Sequence, residues 1–337
     1  MATYKDAGVD IEKGDKCSSL AYAAAKATFP GRKGMIGEPV VIEGGFTGAL
    51  DMGDFYLVQN DDGVGTKITI AEALGKYDTL GYDLLAMVAD DAACVGAEVI
   101  SISNTIDVKN VDENVIGPLT QGLSKACLEQ KVVIPGGEIA ELSDMVNGHT
   151  WNATAVGVVK KNKFITGANV AEGDTLIGLR SNMFRSNGFT LVRHILKEKF
   201  GPDWANAPYG DGKSWGEVTL TPSKIYHGFI MDLHGRFEEQ PKVDLKAVIH
   251  ITGGGLPGNL SRVLKGATLD NLIEPHEPML KLMEMGGVSK EEAYRTWNMG
   301  VGMVLVCNEV DKVLEVAEKH DIFAQVIGKV GGSGIEI

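Results

Sequence analysis

Strand-like apolar runs alternate with helical patterns along the chain, and this alternation limits the fold more than any other feature. The run at 99–107 alternates like a strand, 114–129 has helical spacing, and 151–160 is again strand-like. Strands and helices interleave without a regular repeat of short period, which indicates α/β or α+β layers rather than a solenoid. We therefore expect sheets that pack against helices.

The length of the chain predicts two domains. Its 337 residues are too many for one typical hydrophobic core. The segment 160–166 is polar enough to be a linker. We therefore expect an N-terminal domain at 1–166 and a C-terminal domain at 167–337.

The charge of the chain argues against two classes of partner. The formal net charge is −13. Nucleic acids and anionic membrane surfaces are bound by clustered Lys and Arg, so we expect neither as a partner. A phosphate-bearing ligand must therefore be held by groups close to it.

The four cysteines lie far apart and form no C-x-x-C pair. Cys94, Cys127 and Cys307 stand in apolar surroundings and are typical of small buried side chains in a reducing cytosol. The first residues include no apolar leader segment, and no run long enough to span a bilayer occurs. We expect a cytoplasmic protein.

Glycine is abundant, and one glycine-rich segment carries the most chemistry. The chain has 43 glycines, whereas the usual share of about 7% corresponds to roughly 24. The segment 60–67, Asn-Asp-Asp-Gly-Val-Gly-Thr-Lys, joins the apolar run 55–58 to a helix predicted from Ile68. Gly63 and Gly65 allow a sharp turn with exposed N–H groups, and the surrounding polar side chains suit a magnesium-bound polyphosphate. The spacing is not that of a Walker A loop, and an ordinary surface turn is the alternative.

A helix predicted at 79–96 carries acidic residues on a mostly apolar surface. Asp83 and Asp90 lie seven residues apart on nearly one line, and Asp91 stands one step round from them. If this face is buried, the carboxylates require a cation or hydrogen-bond partners, because an unpaired buried charge is very costly. Surface charges on an amphipathic helix are the alternative.

Two further segments of the first half end in glycine turns. The short strand predicted at 131–134 leads into Pro-Gly-Gly-Glu at 135–138, which presents Glu138 after Gly137. The strand predicted at 38–43 leads into Gly44-Gly45-Phe46, which is equally consistent with a plain hairpin. Strand followed by a glycine loop thus recurs in this half.

The second half contains two segments suited to anion binding. Arg-Ser-Asn-Gly at 185–188 precedes a helix predicted at 189–198, whose first N–H groups are free to contact an anion. The strand 247–251 carries His250 and leads into Thr-Gly-Gly-Gly at 252–255, before another predicted helix. A lone strand histidine is more often a satisfied core group than a catalyst. The loop 201–216 has no assigned role.

Taken in order, these landmarks resemble one enzyme family over nearly the whole chain. The landmarks are YKDAGVD, GGF, DDGVGTK, GYDLLAM, GAE, GGE-x-A-E, SNGF-x-LVR, TPS-x-IY, HITGGGLPGNL-x-RVL and YRTWNMGVGM. Their order is similar to that of the phosphoribosylformylglycinamidine cyclo-ligase, or AIR synthetase, family. Ten landmarks in one order are far more specific than a single glycine loop.

The resemblance implies a fold and an activity. It implies an N-terminal α/β domain that dimerises through its strands into a barrel, and a C-terminal α/β domain across a cleft. The implied enzyme closes the imidazole ring of formylglycinamidine ribonucleotide in purine biosynthesis, using ATP and Mg²⁺. ATP phosphorylates the formamide oxygen, and the amidine nitrogen then expels phosphate. Whether K⁺ is also required stays open.

The resemblance also implies roles for particular residues. The implied catalytic residues are His250, Lys67 and Asn187. The implied nucleotide-binding residues are Asp62, Gly63, Val64, Gly65, Thr66, Lys67, Gly137 and Glu138. The implied substrate-binding residues are Gly44, Gly45, Arg185, Ser186, Asn187, Gly188, Thr252, Gly253, Gly254 and Gly255. The implied metal ligands are Asp62, Asp91 and Glu138. The identity of the catalytic base stays open.

Four departures from the family pattern put the identity of the substrate in question. Arg185 stands where the family usually has histidine, Asp61 where it commonly has threonine, and Asp90 where it has asparagine. After Gly-Gly-Glu, the family's T-A-E-M-P-G is replaced by Ile-Ala-Glu-Leu-Ser-Asp at 139–144. An arginine at 185 is suited to hold a carboxylate or phosphate of the substrate with two hydrogen bonds, which histidine cannot do.

Two other functions compete with the cyclo-ligase. One is a related ATP-dependent enzyme with an altered substrate, from the superfamily that includes selenophosphate synthetase, thiamine-phosphate kinase and the hydrogenase-maturation dehydratase. Selenophosphate synthetase needs a reactive Cys or selenocysteine, and Cys17 lacks the glycine-rich setting. The other is a nucleotide-binding scaffold without turnover, against which the presence of Lys67, Asp62 and Glu138 argues.

Overall fold

The structure is a computed structural model, and it describes residues 7–8, 11–41 and 45–337. Gly44 and most of the YKDAGVD landmark lie outside the described residues. The described chain forms two six-stranded sheets and one short hairpin, with helices packed against them. This confirms the prediction of mixed α/β layers.

The first sheet is built from residues of the N-terminal half. Its strands are β1 (Glu38–Val40), β2 (Gly48–Asp51), β3 (Phe55–Gly63), β4 (Glu98–Val108), β5 (Val133–Glu141) and β6 (His149–Lys160). They lie in the order β1-β2-β3-β6-β4-β5. The β4–β5 pair is parallel and the other pairs are antiparallel.

Helices of the same half cover one face of this sheet. They are α2 (Ile68–Leu74), α3 (Leu80–Ala93) and α4 (Glu113–Gln130), while α1 (Ile11–Lys26) precedes the sheet. The carboxylate of Asp112 accepts a hydrogen bond from the N–H of Asn114 at 2.8 Å and caps the start of α4. Alternate residues of β4 and β6, such as Ile102, Ile106 and Ala155, are buried beneath the helices.

Two segments predicted as glycine turns belong to strands. Asp61, Asp62 and Gly63 complete β3 and pair with β6, and the Pro-Gly-Gly-Glu segment lies inside β5 and pairs with β4. Glycine is required at two of these positions: a Cβ on Gly63 would lie 2.7 Å from the carbonyl oxygen of Trp151, and one on Gly137 would lie 2.7 Å from that of Asn104. Pairing with a neighbouring strand therefore prevails over the local tendency of Asp-Gly to turn.

The second sheet is built from residues of the C-terminal half. Its strands are β7 (Thr175–Arg180), β10 (Ala247–His250), β11 (Gly266–Thr268), β12 (Val301–Val306), β13 (Ala324–Val330) and β14 (Gly334–Glu336). They lie in the order β10-β12-β7-β13-β11-β14. Every residue of β10 and β12 is buried, although β10 is the edge strand of this sheet.

Seven helices of described residues accompany this sheet. They are α5 (Phe189–Phe200), α6 (Trp215–Thr219), α7 (His227–His234), α8 (Gly255–Leu260), α9 (Glu277–Gly286), α10 (Lys290–Thr296) and α11 (Val310–Lys319). The 201–216 segment, predicted as a loop, contains the hairpin of β8 (Pro208–Gly210) and β9 (Lys213–Ser214). Trp204 and Trp215 anchor it in the core.

Helix α3 connects the two halves. Its apolar residues pack beneath the first sheet, whereas Ala93 and Cys94 at its end join a core cluster that includes Tyr226 and Phe229 of the C-terminal half. The division at 166/167 falls between the sheets and remains a prediction. Cys94, Cys127 and Cys307 are buried and unbridged, which confirms their assignment as small core side chains.

Among the described residues, every helix is too short or too polar to cross a bilayer.

Candidate active site between the two sheets

Two of the three acidic residues of α3 are buried, and each of the three contacts a nitrogen of another side chain. The side chains of Asp83 and Asp90 are fully buried, and 15% of the side-chain surface of Asp91 is exposed. Their partners are Lys67, Arg185 and His250, respectively. The sequence-based prediction that a buried acidic face requires cations or hydrogen-bond partners is confirmed.

Lys67 is buried and points away from solvent. Its Nζ donates to Oδ1 of Asp83 at 2.7 Å and to the carbonyl oxygen of Thr221 at 2.6 Å. Burial lowers the pKa of Lys67 and raises that of Asp83, and the attraction between the charges opposes both shifts. In this arrangement the ammonium anchors the glycine turn to the C-terminal half and does not face a phosphate.

The glycine turn at 64–67 has buried residues at its two ends and exposed residues between them. The Val64 side chain is buried, and its N–H donates to the carbonyl oxygen of Trp151 at 3.1 Å. Gly65 and Thr66 are exposed, and Gly65 has a φ of +55°, which favours glycine. Gly65 and Thr66 are therefore the accessible part of the predicted phosphate turn.

Arg185 is not placed to bind substrate. Its side chain is 1% exposed, and its guanidinium donates to Oδ2 of Asp90 at 2.6 Å and to the carbonyl oxygen of Gly302 at 3.0 Å. The prediction that Arg185 holds a substrate anion does not fit this geometry. Asp90 takes the guanidinium instead, so two of the departures from the family pattern compensate each other.

Asp91 and His250 form a hydrogen-bonded pair across the two halves. Nδ1 of His250 lies 2.7 Å from Oδ1 of Asp91. Burial lowers the pKa of His250 to about 3 and raises that of Asp91 to about 7. His250 is therefore neutral near pH 7, and its buried Nε2 has no hydrogen-bond partner among the described residues.

Asp62 is the second carboxylate on the buried side of the first sheet. Its Oδ1 accepts a hydrogen bond from the N–H of Gly63 at 2.7 Å. Burial, together with the negative charge of Asp91, raises the pKa of Asp62 to about 6, although the hydrogen bond from Gly63 lowers it. Two carboxylates with raised pKa values thus lie within electrostatic range of each other.

Two glycine loops of the C-terminal half meet beside these carboxylates. A Cβ on Gly253 would lie 4.0 Å from Oδ1 of Asn187, and one on Gly65 would lie 3.7 Å from the carbonyl oxygen of Ser186. Gly188 has a φ of +76° at the start of α5. The structure therefore brings together the segments 65–66, 186–188 and 252–255, in which Gly65, Thr66 and Gly253 are exposed and Asn187 is half-buried.

Asn259 organises the second loop and was missed from the sequence. Its Nδ2 donates to the carbonyl oxygens of Thr252, Gly253 and Gly255, the last at 2.8 Å. Thr252 Oγ1 donates to its Oδ1 at 3.3 Å. The sequence does show an asparagine four residues after the triple glycine, within an apolar segment. Its role could not be inferred, because its hydrogen-bond partners are carbonyl groups that only the fold brings near.

Glu138 does not join Asp62 and Asp91 within one chain. Glu138 is in register with Thr105, Thr105 with Asn152, and Asn152 with Gly63. Residues in register share a face and successive residues alternate, so Glu138 lies on the opposite face from Asp62. Three strand spacings, about 14 Å, separate their strands. Among the described residues, no three His, Cys, Asp or Glu side chains are grouped to hold a metal ion.

Three further residues named from the sequence, Gly45, Gly137 and Asp61, have the following surroundings. Gly45 accepts a hydrogen bond at its carbonyl oxygen from Arg262 at 2.5 Å, and the Arg262 guanidinium lies 3.8 Å from the Phe46 ring centroid. Gly137 is exposed beside Glu138. Asp61 points to the open face of the first sheet and accepts a hydrogen bond from Thr154.

The fold and this junction define an AIR synthase-related protein. The model of the AIR synthase-related N-terminal domain matches residues 45–159, and that of the C-terminal domain matches residues 171–337. The chain belongs to the phosphoribosylformylglycinamidine cyclo-ligase family. It is 39% identical to the cyclo-ligase of Thermococcus kodakarensis, over all of this chain and 98% of the relative. It is 42% identical to that of Pyrococcus furiosus, over 93% of this chain and 90% of the relative.

Solved structures with lower sequence identity share the fold. AaThiL complexed with AMPPCP and TMP has a TM-score of 0.60 and 14% identity, with 88% of each chain covered. A HypE–HypF complex has a TM-score of 0.61 and 17% identity, with 85% of this chain and 87% of that chain covered. These likenesses support the two-domain α/β architecture.

Proposed function

We propose that the protein closes the imidazole ring of formylglycinamidine ribonucleotide at the expense of ATP. The observation that carries the proposal is the junction itself. There the exposed Gly65 and Thr66, the Asn187 loop and the His250–Asp91 pair meet beside Asp62. Family membership along the whole chain supports the same reaction, and it does not favour the alternative of a related enzyme with another substrate.

The reaction proceeds in two steps. The formamide oxygen attacks the γ-phosphorus of ATP, so a P–O bond forms and the bond to the β-phosphate oxygen breaks, releasing ADP. The amidine nitrogen then attacks the activated carbon, and the C–O bond breaks with departure of phosphate and loss of a proton from nitrogen. An unmodified amide oxygen is a poor leaving group, which is why phosphorylation precedes ring closure.

The described residues suggest a division of labour. Backbone N–H groups at 65–66 would contact the phosphates, and Asn187 would orient the substrate at the edge of the second loop. His250, neutral and buried, would hold the partly exposed carboxylate of Asp91 in place through Nδ1. Lys67 would act indirectly, by fixing the turn through Asp83.

The carboxylates Asp62 and Asp91 fit a magnesium ion. Both have pKa values raised by burial, and a dication beside them would offset the cost of their charges. Magnesium bound there would neutralise charge on the transferring phosphate. Glu138 fits this set only if it comes from a second subunit, because within one chain it lies on the other face of the sheet.

A homodimer would provide that second subunit. The edge strand β5 is exposed along nearly its whole length and carries the apolar residues Val133, Ile134 and Ile139. An exposed apolar edge strand is usually paired or covered. We therefore include in the proposal a dimer that continues the first sheet into a barrel, in the cytoplasm, where ATP and the purine intermediates are expected.

The proposal is tested with purified protein, formylglycinamidine ribonucleotide, ATP and Mg²⁺. We expect ADP and the aminoimidazole product in equal amounts. Asp62→Asn should lower turnover about 100-fold or more, whereas Asp54→Asn, at an exposed carboxylate, should not. Bound ATP without product from the unmodified protein would contradict the proposal.

A further inference from the structure

The Arg185–Asp90 ion pair is enclosed on all sides. The side chains are 1% and 0% exposed, and the guanidinium stacks over the Tyr226 ring at 4.9 Å from its centroid. Because both charges are matched inside the protein, removing either one leaves the other buried and unpaired, which is strongly unfavourable. Neither group is accessible to a ligand from solvent.

The pair ties four elements together. Oδ2 of Asp90 on α3 takes the guanidinium, while its Oδ1 accepts hydrogen bonds from the N–H groups of Tyr226 and His227 at 2.8 and 2.9 Å. The second guanidinium nitrogen donates to the carbonyl oxygen of Gly302 on β12. The pair therefore joins the N-terminal half to the start of α7, to β12 and to the segment that precedes α5.

Each member of the pair stands one residue away from the proposed reaction site. Asp91, which follows Asp90, binds Nδ1 of His250. Ser186 and Asn187 follow Arg185, and they meet Gly65 and Gly253. The geometry thus couples the ion pair to both sides of the junction.

The backbone conformation of Arg185 depends on the contacts of its side chain. Arg185 has a φ of +58°, a left-handed conformation that is unfavourable for non-glycine residues. Such a conformation persists where the surrounding contacts enforce it. The hydrogen bonds to Asp90 and Gly302 are contacts that do so, and they set the course of the chain into Ser186 and Asn187.

We propose that Arg185 and Asp90 act as one positioning unit, which holds Asn187 and His250 in the arrangement required for ring closure without touching the substrate. This inference rests on the proposed function. It predicts that the two residues depend on each other, and that they contribute to the rate of the chemical step more than to substrate binding.

The test is a double-mutant cycle on the full-length protein. Arg185→Gln and Asp90→Asn each leave one buried charge without its partner. The combined variant leaves no buried charge, because both amides are neutral, and the two amides can hydrogen bond to each other. We expect each single variant to lower kcat about 10- to 100-fold per folded molecule, with KM for both substrates within about twofold. The combined variant should recover at least half of the lost activation free energy. Arg185→Lys, which keeps the charge, serves if a single variant does not fold.

Lys163→Met is the matched control. Lys163 is also a buried cation, and it donates to the carbonyl oxygens of Gly235, Arg236 and Glu239 away from the junction. We expect it to lower stability but not kcat. The proposal is overturned if the single variants at 185 and 90 behave like this control, or if Arg185→Gln raises KM with kcat unchanged.

Failure of the proposed function gives a different result. In that case the unmodified protein shows no ring closure, and the positioning unit is then tested by amide hydrogen exchange. We expect faster exchange at 186–188 and 251–255 in each single variant, restored in the combined variant. Equal exchange in all four proteins would overturn the positioning role.

Discussion

Nζ of Lys67 lies 2.7 Å from Oδ1 of Asp83, and neither side chain is exposed to solvent. The sequence motif around Lys67 suggested an ammonium that faces a phosphate. The structure shows an internal ion pair that fastens the glycine turn to α3 and, through the carbonyl oxygen of Thr221, to the C-terminal half. The lysine thus contributes to the site by holding the turn in place.

The first prediction concerns this ion pair. Lys67→Met leaves Asp83 buried without its cation, so we expect the free energy of unfolding to fall by about 3–5 kcal/mol. Lys67→Met combined with Asp83→Asn should be less destabilised than Lys67→Met alone, because no charge remains buried. Guanidinium unfolding measures both. Equal destabilisation of the single and combined variants would argue against the pairing.

The second prediction concerns the triple glycine. A Cβ on Gly255 would lie 1.8 Å from the carbonyl oxygen of Tyr294, and its φ is +60°. We expect Gly255→Ala to destabilise the protein by about 3 kcal/mol or more. A Cβ on Gly258 in the same helix would meet nothing within 4 Å, so Gly258→Ala should change stability by less than about 1 kcal/mol. Thermal unfolding of the two variants is the measurement, and similar effects would contradict the close contact.

The third prediction concerns pH and His227. Nε2 of His227 accepts the N–H of Val99 at 2.9 Å, and burial lowers the pKa of His227 from 6.5 to about 4. As the pH falls, His227 therefore binds a proton at a higher pH in the unfolded chain than in the folded protein. The stability from the neutral ring is complete above pH 6.5 and decreases as the pH falls towards 4, by roughly 3 kcal/mol.

His227→Gln removes this titration and keeps a side-chain acceptor. We expect the variant to be less stable than the unmodified protein at pH 7.5, and the difference to shrink by roughly 3 kcal/mol at pH 4. Guanidinium unfolding at a series of pH values measures the difference directly. A difference that stays constant between pH 7.5 and pH 4 would mean that His227 titrates normally in the folded protein.

The fourth prediction concerns Glu138 and the proposed dimer. If Glu138 serves the active site of the other subunit, Asp62→Asn and Glu138→Gln each inactivate the protein alone. Mixed and reassembled, half of the dimers are hybrids with one intact site, so activity should return to about a quarter of the unmodified level. Mixing two preparations of Asp62→Asn is the control. No recovery in confirmed hybrid dimers would place Glu138 outside the partner's site.

The site could be predicted from the sequence only in part. The helix with Asp83, Asp90 and Asp91 was recognisable because acidic residues on an apolar face require partners, and the glycine loops were recognisable from composition. The roles of Arg185 and Lys67 were not predictable, because each depends on a carboxylate at least sixteen residues away in the sequence. In the sequence each looks like a cation available to a ligand, whereas in the fold each forms a buried ion pair with an aspartate.

The sequence by itself determined the alternation of strands and helices, the family, and the need for cations around α3, since these follow from local periodicity and from the cost of burying charge. The tertiary structure alone decided which cation meets which carboxylate, and that Asp62 and Glu138 point to opposite faces of one sheet. The physical reason is that strand register and the approach of the two halves are set by packing over long sequence separations, which a local pattern does not encode.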